Sequence, residues 1–204
     1  MVQGQISSAS PTPEADGRRL RRDRNRDVVV QTLLGLYREG VLDPSIDEIA
    51  ARSGVSARSV FRYFDDVDAL ADAAITHQLL DVAHLLPISA APADSFAARV
   101  AAAAHQRATL FEAIGSAGIV SRLKAPFNHV VAERLRENRA SLRHQLAGLF
   151  ATELATAPAH RLAVLDVLTS FESWQLLRHD QGLSPAEAEA ALGAAITELL
   201  EAHS

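Results

Sequence analysis

The residues best placed for recognition chemistry lie between Ser45 and Phe64, in S-I-D-E-I-A-A-R-S-G-V-S-A-R-S-V-F-R-Y-F. At helical spacing Arg58, Ser59, Arg62 and Tyr63 share one outward face. Two guanidiniums, a hydroxyl and a phenol on one short helix are groups that bond phosphate oxygens and base edges. Upstream, R-R-L-R-R-D-R-N-R from Arg18 to Arg26 puts six arginines into nine residues. That run reads either as an arm following phosphates or a minor groove, or as a solvated leader into a helix.

Catalytic chemistry has no comparable footing. The sequence holds no cysteine, no G-x-S-x-G, no Ser-His-Asp spacing and no glycine-rich phosphate loop, so no catalytic residue is assigned and an enzyme is not expected. His77 and His84, seven apart, fall on one helix face without the H-E-x-x-H spacing that holds zinc. Asp65, Asp66 and Asp68 read as helix-capping and dipole-matching acids rather than cation ligands. Neither a metal nor a cofactor is expected.

The outward face needs elements to aim it. Ser45-x-x-Glu48 has capping-box spacing, and Ile46, Ile49 and Ala50 make one apolar face behind it. Gly54 stands where that helix must stop, and Ser56 is placed to cap the next one at Arg58 or Ser59. Val60 and Phe64, four apart, point inward. This is the arrangement of a helix-turn-helix, whose second helix enters the major groove, although an ordinary helical hairpin meets the same pattern.

Ahead of it, a helix is expected from about Arg24 to Glu39, with Val29, Leu33 and Leu36 on one face and Val30, Leu34 and Tyr37 beside them. Behind it, Asp66 opens a helix running to about Leu86. Further helices are expected over about 94–115, 127–154 and 158–179, with a short apolar segment at 119–123. Ser184, Pro185 and Glu187 cap a last helix. No strand-like alternation competes, so the fold class is all-α. The expected division is a disordered tail over 1–20, a helix-turn-helix head over 21–66 and a helical body over 67–204.

Composition agrees. The net charge of −5 divides into +2 for residues 1–63 and −7 for the remainder, a mildly basic front on an acidic body. No leader-like or membrane-spanning apolar run occurs, which points to the cytoplasm.

At residues 24–76 the chain resembles the TetR (tetracycline-repressor) family of transcriptional regulators. The likeness rests on a leading helix, then S-I-D-E-I-A, G-V-S and S-V-F-R-Y-F, then an acid-capped helix containing A-L. A weaker likeness runs from Ser173 to Ala188, S-x-W-x-x-L-R-H-D-Q-G-L-S-P-A-E-A. The resemblance implies a homodimer that binds a palindromic double-stranded DNA operator, and a helical body that takes a small, mostly apolar effector. It implies phosphate contacts from Ser45 and Tyr63, and base or backbone contacts from Ala57, Arg58, Ser59 and Arg62. Two positions depart from the family: Phe61 where tyrosine is more usual, and Val67 where lysine is common. Together they remove a phosphate-bonding hydroxyl and a cation, so they predict weaker binding and a shallower salt dependence.

Candidate effector-lining residues are Phe111, Phe127, Val131, Phe171 and Trp174, each of which plain core packing would also explain. Gly115, Gly118 and Pro126 bracket a segment suited to hinging. On the last helix Leu192, Ile196 and Leu199 form an apolar row suited to packing against both its own body and a symmetry mate; an intramolecular core would also explain it, and the resemblance favours dimerisation.

Overall fold

The computed structural model describes residues 13–201, and among them every regular element is helical. No helix among the described residues is long and apolar enough to cross a membrane. The chain divides into two compact units between Ala74 and Ile75. The expected division at residue 66 falls too early, because Leu70, Ala71 and Ala74 are fully buried and belong to the first unit.

The first unit comprises α1 (Pro13–Arg38), α2 (Ile46–Ser53), α3 (Ala57–Tyr63) and the start of α4 (Val67–Asp81). Both apolar lanes of α1 are buried, from Val29 and Val30 through Leu36 and Tyr37, because α2 and α3 pack against it from two sides. Each such side chain contributes about 1.5–3 kcal/mol on burial. Of the expected tail, residues 1–12 lie outside the described residues, whereas 13–20 are the first turns of α1. No proline or glycine interrupts Arg18–Arg26, and arginine is a good helix former, so the helix extends back through the whole run. The run is therefore helical, and its arginines from Arg19 to Arg26 are exposed, as in a solvated leader into a helix.

The second unit is built on α5 (Phe96–Lys124), with α6 (His129–Leu149) beside it and α10 (Pro185–Glu201) along it. The short helices α7 (Ala151–Ala155), α8 (Arg161–Leu168) and α9 (Phe171–Gln175) close the bundle. Its core holds Trp174, Phe150, Leu110, Leu146, Leu165 and Ile196, each at most 1% exposed.

Three expected helices are broken, each for a local reason. In α4, the ring of His84 contacts the Asp81 carbonyl at 2.8 Å, and a 3-10 turn over Ala83–Leu85 follows. The carbonyls released there are taken by Gln106, which donates to Leu85 and Leu86 at 2.8 and 3.2 Å, and by Gln145, which donates to Leu86 at 3.0 Å. The helix expected over 158–179 stops at Thr169, whose hydroxyl donates back to Leu165 at 2.8 Å. Ser170 then caps a fresh start by accepting from the Ser173 amide at 3.2 Å. The one expected over 127–154 is interrupted at Phe150 (φ −109°, ψ 28°), whose ring is fully buried. Conversely, the segment over 119–123 is continuous with α5, across a break at Gly115.

Candidate nucleic-acid interface and internal cavity

The turn between α2 and α3 is built as its residue types require. Ser45 accepts from the Glu48 amide at 3.2 Å, and Ser56 accepts from the Ser59 amide at 3.3 Å. Gly54 closes α2 at φ 69°, ψ 11°, and its own N–H bonds Ala50 at 3.1 Å; a side chain at this left-handed position would be strained. Val60 and Phe64 are buried, which fixes the rotation of α3. Arg58 and Arg62 are exposed, with Ala57, Ser59 and Tyr63 half-buried beside them. Ser45 is exposed at the mouth of α2, and because its oxygen only accepts in the cap, its O–H remains available to a phosphate. Asp66 caps α4, accepting from the Ala69 amide at 2.7 Å.

Tyr63 is held from two directions. Its oxygen accepts from Asn25 of α1 at 3.3 Å and from Arg62 at 3.4 Å. These bonds, Asn25's first, hold the phenol below its usual value, with the charges of Arg62 and Arg22 adding to them. A phenol oxygen that accepts twice keeps its proton for an outside acceptor. One residue on, the Arg26 guanidinium stacks 4.9 Å from the Phe64 ring centre. The basic end of α1 is thus attached to the end of α3 through Asn25, Arg26, Arg62 and Tyr63. Sequence spacing does not reveal that junction, because the paired residues are 38 apart. Phe61 is 57% exposed and Val67 is 37% exposed, so both departures from the family pattern stand at the surface.

The second unit contains two adjoining chambers. One, of about 320 Å³, is lined by Arg107, Arg122 and Arg139 with Asp166 and Glu172, against an apolar wall that includes Phe111, Leu142, Val167 and Phe171. The other, of about 140 Å³, is mostly apolar, with Leu79, Val82, Leu86, Leu110, Ile114 and Leu135 in its wall. Phe111, Arg122, Arg139, Leu142 and Phe171 line both. Residues before and after the Gly115 break, Leu110 and Ile114 on one side and Ala117 and Ser121 on the other, face the apolar chamber. Gly115 lies at φ 47°, ψ −131°, a backbone region open essentially to glycine alone.

Charge inside the larger chamber is crowded. Glu172 accepts from Arg122 at 2.8 Å and also from Arg139. Burial pushes the Arg122 guanidinium down to about 10. Arg139 is lowered too, first by burial and then by the charge of Arg122. The Arg122 guanidinium also covers the Phe171 ring, 4.1 Å from its centre.

Of the aromatic and aliphatic candidates from sequence, Phe111, Val131 and Phe171 stand in these walls. Phe127 and Trp174 do not. Phe127 is 89% exposed because it lies in the turn before Asn128 caps α6. Trp174 is buried in the core with its indole N–H donated to Glu112 at 2.9 Å. The arginines were missed, although Arg107 was detectable as a charge in register with Ala103 and Phe111 on the apolar face of α5. Of the row on α10, Leu192 and Ile196 are buried in their own unit's core and Leu199 is half-buried against it. α10 lies along α5, with Gly193 close to Ala104 and Val100, and also packs on α8 and α7. His77 contacts Asp81 at 3.1 Å.

Residues 36–74 match the family described as bacterial regulatory proteins, tetR family. Among solved structures the chain is similar to a tetR-family transcriptional regulator from Streptomyces coelicolor. The TM-score is 0.64 at 23% identity, over 87% of this chain and 80% of that one, a likeness of fold. No curated protein matches the chain.

Proposed function

Starting from the tetR-family segment that its first unit carries, we propose that this protein is a ligand-responsive transcriptional repressor. It acts in the cytoplasm as a homodimer, with the α3 helices in successive major grooves of a palindromic operator, about 34–36 Å apart. Arg58, Ser59 and Arg62 read bases or the adjoining backbone, with Ala57 in close approach. Ser45 and Tyr63 bond phosphates. The observation that carries this reading is the outward face of α3, held in place by two serine caps, a left-handed glycine and the Asn25–Tyr63 bond.

The two chambers support an effector site. Ile75, Gln78, Leu79 and Val82 of α4 line the apolar chamber, while Leu70, Ala71 and Ala74 of the same helix are buried in the first unit. A ligand that favours one packing of α4 therefore acts on a helix that also carries core residues of the DNA-binding head. Its differential affinity for the two packings sets how far it shifts the protein off DNA. In this reading α10 packs on its own body through Leu192 and Ile196 and meets the partner subunit on its outer side, next to the half-buried Leu199.

Salt-dependent binding to the protein's own upstream intergenic DNA, against a scrambled duplex, tests the proposal. A protected palindrome with affinity falling as salt rises supports it. A second reading, a helical small-molecule receptor whose head no longer binds DNA, is favoured by the exposed Phe61 ring and by Val67. Equal, weak binding to both duplexes, followed by failure of a genome-wide selection, would establish that reading instead.

A further inference from the structure

Arg107 is fully buried, and it lines the larger chamber. One terminal nitrogen donates to the Leu142 carbonyl at 2.9 Å, and the other contacts the side-chain oxygens of Gln106 and, at 3.5 Å, Gln145. Its Nε has no acceptor among the described residues. Nor does any carboxylate there form an ion pair with it: Asp166, in the same wall, is paired with Arg143 at 3.6 Å and acts on Arg107 only through the field. Burial pushes this guanidinium down to about 10, so it is still charged at neutral pH. A buried cation without a counter-ion is costly, and a buried donor without an acceptor adds to that cost.

The neighbouring charges do not relieve it. Arg122 and Arg139 divide one carboxylate, that of Glu172. The chamber wall thus holds three guanidiniums against two carboxylates, both of which are already engaged. One positive charge is in surplus, and a donor stands unused beside it. A single negative charge satisfies both conditions. A dianion such as a phosphate monoester would turn the net charge of the wall residues from +1 to −1. Around the polar end, Phe111, Leu142 and Phe171 form an apolar wall that continues into the smaller chamber.

From this arrangement we infer that the cavity takes a small carboxylic acid, with its carboxylate held in the combined field of Arg107, Arg122 and Arg139, and its hydrocarbon body passing Phe111 and Phe171 into the apolar chamber. The inference deepens the effector reading given above and rests on it. It narrows a mostly apolar ligand to an amphipathic monoanion.

The test is calorimetric binding of the full-length protein, without DNA, to octanoate and phenylpropanoate, each paired with its alcohol, and to octyl phosphate. At least one acid is expected to bind about ten-fold or more tighter than its alcohol, the strength of a charge-assisted hydrogen bond. Arg107→Met, which replaces the cation by a side chain of similar volume, is expected to bring the acid down to the alcohol's affinity. Arg139→Gln, at a half-exposed side chain, is expected to reduce the same preference in part and does not depend on Arg107→Met folding. Equal affinity for acid and alcohol, binding of none of the probes, tighter binding of octyl phosphate, or a preference that survives Arg107→Met would each overturn the assignment. Since DNA is absent, failure of the operator experiment leaves an acid preference intact. Conversely, a protected palindrome combined with no acid preference removes this inference alone.

Discussion

Gly118 and Phe171 approach so closely that a β-carbon at 118 would stand 2.7 Å from Cζ of the ring. The ring has little room to yield. It meets Phe111 edge-on at 5.6 Å between centres and lies under the Arg122 guanidinium. Gly118→Ala is therefore expected to destabilise the protein by about 1–3 kcal/mol, the cost of overpacking a close-packed interior. Thermal unfolding measures it. Phe171→Leu in the same chain should recover part of the loss, and additivity of the two substitutions would show that the contact is not the cause.

Gly115 carries a different kind of constraint. Beyond its chain neighbours and its own helix backbone, nothing lies within 4 Å of the position a β-carbon would occupy there, so side-chain crowding is not at issue. The backbone itself, at φ 47° and ψ −131°, is what an alanine would resist. Gly115→Ala should lower stability by about 1–3 kcal/mol in urea unfolding. It should also change the affinity of any cavity ligand, because the break orients both halves of the α5 wall. A variant with unaltered stability would show that the break is not required by the fold.

On the DNA face, Arg62 and Tyr63 act by different physics. Arg62→Ala should weaken specific binding by about 1–3 kcal/mol and relax sequence preference if the side chain reads a base edge. Tyr63→Phe removes a neutral hydroxyl, so a loss of about 0.5–1.5 kcal/mol is expected with the salt slope unaltered. A slope that fell in Tyr63→Phe would mean that the phenol acts by positioning the Arg62 charge, to which it is bonded.

Acid sensitivity of the body is expected to come from Glu153 and Glu112. Arg99 donates to Glu153 through both terminal nitrogens, at 2.7 and 2.9 Å, and holds its carboxyl below the usual range. Arg178, and after it Trp174, do the same for Glu112. Both folded values lie below the unfolded value of about 4.3. The unfolded chain therefore binds more protons in that interval, and stability rises with pH across it. The contribution is complete above about pH 4.3 and is lost as pH falls through the depressed folded values. Denaturant melts across this range check it, and Arg99→Met should flatten the Glu153 part of the dependence.

Much of the first unit was legible because its determinants are local. Ser45, Gly54, Ser56 and Asp66 act on amides and carbonyls within four residues of themselves. The 3.6-residue period of Val29, Leu33 and Leu36 follows from which side of α1 is covered. Helix breaks in the body were less legible. Thr169 ends α8 with a bond that any helical threonine can make, and whether such a bond terminates a helix depends on what packs over it.

By itself, then, the sequence determined the all-α class, the helix-turn-helix and the outward side chains of α3, since capping, chirality and apolar period operate within a turn or two of chain. The tertiary structure alone decided that the arginine run of Arg18–Arg26 is helical and is joined to α3 through Asn25 and Tyr63. It decided as well that Leu192 and Ile196 face inward, that Phe127 and Trp174 stand outside the cavity, and that Arg107, Arg122 and Arg139 converge on one chamber. Each of those outcomes depends on which distant segment covers a given face. Burial and the fields of charges from other helices belong to the assembled core, and no stretch of sequence contains them.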